Sequence, residues 1–73
     1  MHTAVFSISL NSEQVLLYYK GKKHRVQVRT REGFTMSLPY DILLQHVTRE
    51  GIHGTFEISY SNDGKLGDLR RLS

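Results

Sequence analysis

The sequence predicts an α+β domain of about five mainly antiparallel strands and two short helices in the order β-α-β-β-α-β-β, with the sheet either open or curled into a small barrel. Three observations carry this reading: runs in which apolar residues recur at every second position, two short stretches that switch to helical spacing, and glycines placed where the period changes. The 73 residues have room for a single domain, 1–73, around one small core, and folding such a chain buries only about 60% of the surface its unfolded form exposes.

Ala4, Phe6, Ile8 and Leu10 alternate with Val5, Ser7 and Ser9, the pattern of a strand half buried against a core. Asn11 is then a good helix N-cap, because Gln14 falls at the third helical position and Leu10 can pack on Val15 as a hydrophobic staple. A helix over about Ser12 to Lys20 follows, with Val15, Leu16, Tyr18 and Tyr19 on one broad inward face and Gly21 as the left-handed residue that ends it.

The register of the next two strands follows from charge. A two-residue turn at Glu32 and Gly33 would pair Arg31 with Phe34 and Arg29 with Met36, setting arginines on the apolar face. A three-residue loop, Arg31 Glu32 Gly33, instead pairs Thr30 with Phe34, Val28 with Met36 and Val26 with Leu38. Val26, Val28, Phe34, Met36 and Leu38 then face the core, and Arg25, Gln27, Arg29, Thr35 and Ser37 face out, with Arg31 in the turn.

Pro39 fits the first turn of a second short helix whose Ile42, Leu43 and Val47 point inward, and Gly51 closes the passage to the next strand. There Ile52, Gly54, Phe56, Ile58 and Tyr60 alternate with His53, Thr55, Glu57 and Ser59 as far as Asn62 Asp63 Gly64. In the last hairpin a turn of Asp63 and Gly64 alone pairs Ile58 with Leu69 and Tyr60 with Gly67, while a three-residue turn needs a bulge at Gly67 to do the same. Both put Leu69 inside; Leu72 fits neither register and is expected to fray.

Charge is segregated along the chain. Lys20, Lys22, Lys23, Arg25, Arg29 and Arg31 make up six of the ten Lys and Arg residues, in a segment without one acid. With no cysteine there is no disulfide framework and no thiolate metal site, which suits a reducing compartment. No apolar run is long enough for a membrane span, and no signal peptide is expected.

At Tyr18 Tyr19 Lys20 Gly21, at Gly33 followed by Leu38 Pro39, at Gly51 Ile52 His53 Gly54 Thr55 Phe56, and at Gly64 Lys65 with Leu69 beyond, the chain resembles a bacterial family of uncharacterised small proteins, domain of unknown function twenty-eight thirty-five. The likeness runs from Phe6 to Leu72 through turn glycines and core positions, which speak for a fold and not for a chemistry. It implies a free-standing bacterial domain in the cytoplasm, and it transfers no functional residue.

The basic segment has two readings. Residues two apart on a strand lie about 6.6 Å from each other, inside the Debye length of about 8 Å, so their potentials add and can hold a polyanion. The plainer reading is a solvated basic face: the lysines complement a helix C-terminus, and cations on an exposed strand discourage edge pairing. Interleaved aromatics would favour single-stranded nucleic acid. Tyr18 or Tyr19 can be exposed beside the lysines, and Tyr40 can be exposed after Pro39, while Phe6, Phe34 and Phe56 fall on core faces.

His2, His24, His46 and His53 lack zinc-site spacing, and no metal or other cofactor is expected. His24 shares the parity of Val26 and reads as partly buried, and His53 as a surface contact near Glu57. No nucleophile elbow, phosphate loop or carboxylate pair gives an enzyme signature. The sequence therefore points to a non-catalytic binding domain, with nucleic acid held by Lys20, Lys22, Lys23, Arg25, Arg29 and Arg31. The alternative is a protein-interaction module or homodimer using a sheet edge or face.

Overall fold

The computed structural model describes residues 1–73. Five strands and two short helices follow in the expected order: β1 (His2–Leu10), α1 (Ser12–Tyr19), β2 (Arg25–Arg29), β3 (Thr35–Pro39), a 3₁₀ helix (Tyr40–His46), β4 (Ile52–Tyr60) and β5 (Leu66–Arg71). The strands form two antiparallel sheets, β1-β4-β5 and β2-β3, and no barrel closes. The sheets meet at one bridge between Phe6 and Thr30, beside which the Arg31 N–H donates to the Val5 carbonyl at 2.8 Å. A single continuous sheet is absent because this contact does not extend into a ladder.

One core lies between them. Ala4, Phe6 and Ile8 from β1, Val26 and Val28 from β2, Leu38 from β3 and Ile52, Phe56 and Ile58 from β4 are all buried, joined by Val15, Tyr40 and Leu43. The β2–β3 register is the one that keeps arginine out of this core: Val26 pairs with Leu38, Val28 with Met36 and Arg29 with Thr35, and Gly33 takes φ 100° in the loop. The last hairpin uses the bulged alternative. Ile58 pairs with Leu69 as expected, but Tyr60 pairs with Leu66 and not with Gly67, because Gly67 and Asp68 share the place opposite Ser59, whose Oγ accepts the Asp68 N–H at 2.7 Å. A Cβ at Gly67 would overlap that hydroxyl, so a larger residue there makes the Ser59 side chain rotate away from the Asp68 N–H.

Leu72 does not fray. Its N–H donates to the Thr55 carbonyl at 2.8 Å and the Thr55 N–H to the Ser73 carbonyl at 3.1 Å, which continues the β5 side of the ladder past the named strand. Arg71 folds back so that its guanidinium carbon lies 5.3 Å from the Phe56 ring centroid.

Both helices depart from the expected faces. In α1 the capping box is complete, with the Gln14 N–H donating to Asn11 Oδ1 and the Asn11 N–H to Gln14 Oε1, each at 2.9 Å. Only Val15 is buried and Tyr18 half-buried; Leu16 and Tyr19, expected inside, are exposed. The Tyr18 ring stacks on Tyr40, and that contact fixes the rotation of a helix only two turns long. The second helix is 3₁₀, with three residues per turn, so Tyr40, Leu43 and His46 line its inner side. Tyr40 is thus buried where an exposed ring was an option, and Ile42 and Val47 pack at the core's margin.

Candidate nucleic-acid interface

The six basic residues are all exposed, and they occupy three consecutive settings. Lys20 caps α1, its N–H donating to the Leu16 carbonyl at 2.9 Å. Gly21, at φ 75°, turns the chain so that its own N–H reaches the Tyr18 carbonyl at 3.1 Å and the Lys22 N–H the Leu17 carbonyl at 2.9 Å. This is the Schellman arrangement, and it places Lys20, Lys22 and Lys23 at the negative end of the helix dipole.

Arg25 and Arg29 stand on the outer face of β2 either side of Gln27, as the alternation demands. They are four residues apart, about 13 Å along the strand, so their fields overlap at low salt and are largely separate at physiological salt. Arg25 is anchored: Nε donates to Ser37 Oγ at 2.8 Å and Nη2 to the Ser37 carbonyl at 2.9 Å, leaving the rest of its fork free. Arg31 is in the turn, tied by its backbone alone.

None of the six is paired with a carboxylate. The one ion pair in the molecule joins Arg70 to Glu57 at 2.9 Å, on the β4–β5 hairpin. Glu32, the acid nearest in sequence to Arg31, turns its carboxylate to the Val5 N–H at 3.3 Å instead. The positive charge of the Lys20–Arg31 segment therefore faces solvent uncompensated.

Tyr19, 71% exposed, stands beside Lys20, while its neighbour Tyr18 is turned inward. Phe34 is 38% exposed rather than enclosed, because it sits at the turn end of the hairpin, edge-on to Tyr60 with centroids 6.3 Å apart. Its position on the core side of the hairpin separates it from the Arg25 and Arg29 face. Phe6 and Phe56 are fully buried.

His24 is exposed, not partly buried: the β2 ladder begins at Arg25, so strand parity does not extend back to it, and its carbonyl accepts the Tyr40 N–H at 3.1 Å. The other histidines are far apart in role. His53 bridges Ser9 Oγ at 2.9 Å and the Glu50 carbonyl at 3.0 Å, His2 meets Asn62, and His46 lies edge-on to Phe56. Sequence reasoning missed Ser37 as the anchor of Arg25; the signal available was its place two residues before Pro39 on the outward parity of β3, diagonal to Arg25.

The chain belongs to the family described as Protein of unknown function (DUF2835), whose model matches residues 2–72. No curated protein and no solved structure matches it. No helix is long and apolar enough to cross a membrane.

Proposed function

We propose that this member of the DUF2835 family is a non-catalytic, cytoplasmic binding domain that holds nucleic acid along Lys20, Lys22, Lys23, Arg25, Arg29 and Arg31. The observation that supports the reading is that six exposed cations lack any intramolecular carboxylate partner, although the chain carries seven acids. Phosphates supply the missing counter-charge, and the affinity so gained is governed by counterion release.

The experiment is fluorescence anisotropy with a labelled single-stranded oligonucleotide at several salt concentrations. Neutralising about four phosphates gives a log–log slope near −3. Arg25→Ala with Arg29→Ala brings the slope closer to zero by about 1.4. Absence of binding at low salt, or a slope unmoved by that double substitution, overturns the proposal.

A protein-interaction module or homodimer through a sheet edge is less well supported. β5 is broken by its bulge and carries Asp68, Arg70 and Arg71, and β3 ends in Pro39 with the Arg25 guanidinium on its Ser37 carbonyl. Bulges, charges and proline are the devices that keep edges unpaired.

A further inference from the structure

We infer that the solvent-facing stripe of α1 is a self-association surface, on which a second copy of this chain packs antiparallel about a two-fold axis between Leu16 and Leu17. Val15 and Tyr18 mark the inward side of the helix. At about 100° per residue, Glu13, Leu16, Leu17 and Lys20 fall on the opposite side. All four are exposed, Leu16 at 46% and Leu17 at 38%.

Their order is self-complementary. The midpoint between Glu13 and Lys20 coincides with the midpoint between Leu16 and Leu17, so reversing the stripe lays leucine on leucine and sets each Glu13 against the Lys20 of the other copy. A two-fold interface requires this property of a surface, because the same patch must fit itself. Neither charge has an ion-pair partner within the chain, where the only ion pair is Arg70 with Glu57. Along one helix the two are about 10 Å apart, too far to pair with each other.

A surface depression lined by Asn11, Glu13, Gln14 and Leu17 borders the same stripe at its Glu13 end. A polyanion does not fit this face, since Glu13 repels phosphate and leucines offer no ring for stacking. In the dimer Lys20 is engaged across the interface, and phosphate contact falls to Lys22, Lys23, Arg25, Arg29 and Arg31.

Sedimentation equilibrium of the full chain, from micromolar to millimolar concentration, tests the inference. The mass is expected to rise with concentration from one chain to two. Glu13→Lys and Lys20→Glu, each alone, are expected to stay monomeric, because one makes the stripe wholly basic and the other wholly acidic; mixed together, they recover the dimer mass. Circular dichroism checks that each variant is folded, and the mixture distinguishes lost pairing from lost structure. A parent chain that is monomeric at millimolar concentration overturns the inference. So does a charge variant that self-associates like the parent, or a mixture that stays monomeric while the parent dimerises.

Discussion

Tyr18 lies flat on Tyr40, with ring centroids 4.6 Å apart and planes 9° from parallel, and this contact joins α1 to the 3₁₀ helix. Burial, with smaller contributions from the nearby Tyr19 and Tyr18 hydroxyls, raises the Tyr40 pKa above the ordinary value of 10.0. Because the folded state favours the protonated phenol, the associated stability is fully present below that value and is lost as the pH climbs through the raised one. Urea denaturation between neutral and strongly alkaline pH should show this loss, and Tyr40→Phe should diminish it. The Tyr40 hydroxyl has no hydrogen-bond partner in the protein, so the same substitution is expected to stabilise the fold at neutral pH by about 1 kcal/mol.

Gly51 and Gly33 both have positive φ, 106° and 100°, yet they differ in surroundings. A Cβ at Gly33 meets nothing, whereas one at Gly51 overlaps the Leu10 carbonyl and the Asn11 backbone where β1 turns into α1. Gly33→Ala should cost about 1 kcal/mol from backbone conformation alone. Gly51→Ala should cost about 3 kcal/mol or more, since backbone has to move as well. Thermal melts of the two variants side by side check the difference.

Asp63 is held below the usual carboxylate range chiefly by the Ser61 hydroxyl and then by the Lys65 N–H. A lowered folded pKa means that stability is present above the free-aspartate value and disappears as the pH falls through the lowered one. Carboxyl titration by NMR should place Asp63 below a free aspartate, and Ser61→Ala should move its midpoint upward.

Arg25 offers a way to separate positioning from charge. Ser37→Ala frees the guanidinium without removing it, so it should weaken oligonucleotide binding by no more than about threefold and leave the salt slope in place. Arg25→Ala should bring the slope closer to zero by about 0.7 on single strands. Anisotropy titrations at four or five salt concentrations distinguish the two.

The strand register was legible in the sequence wherever a wrong choice would bury charge. Arg29 and Arg31 forced the three-residue loop at Gly33, and the Asn11–Gln14 box marked the start of α1. The last hairpin was narrowed to two turns, and the hydrogen bonds of the Ser61–Lys65 turn decide between them. What could not be read was set by contacts distant in sequence. The rotation of α1 depends on Tyr40, twenty-two residues after Tyr18, so Leu16 and Tyr19, which the helical spacing assigns to one broad inward face, lie outward. Leu72 is placed by Thr55, which no local period reveals. The six candidate basic residues were identifiable from charge alone, but their lack of carboxylate partners could only come from the fold.

The lone bridge from Phe6 to Thr30 makes the β2–β3 hairpin a flap hinged along one seam. Lifting the hairpin breaks far fewer backbone bonds than unzipping β4 from its neighbours on both sides, and a detached two-stranded hairpin is marginal in water, so its amide protons should exchange with deuterium first. Arg25, Arg29 and Arg31 ride on that flap, and a ligand gripping them would be felt as slower exchange in β2 and β3 while β1 and β4 keep their own pace.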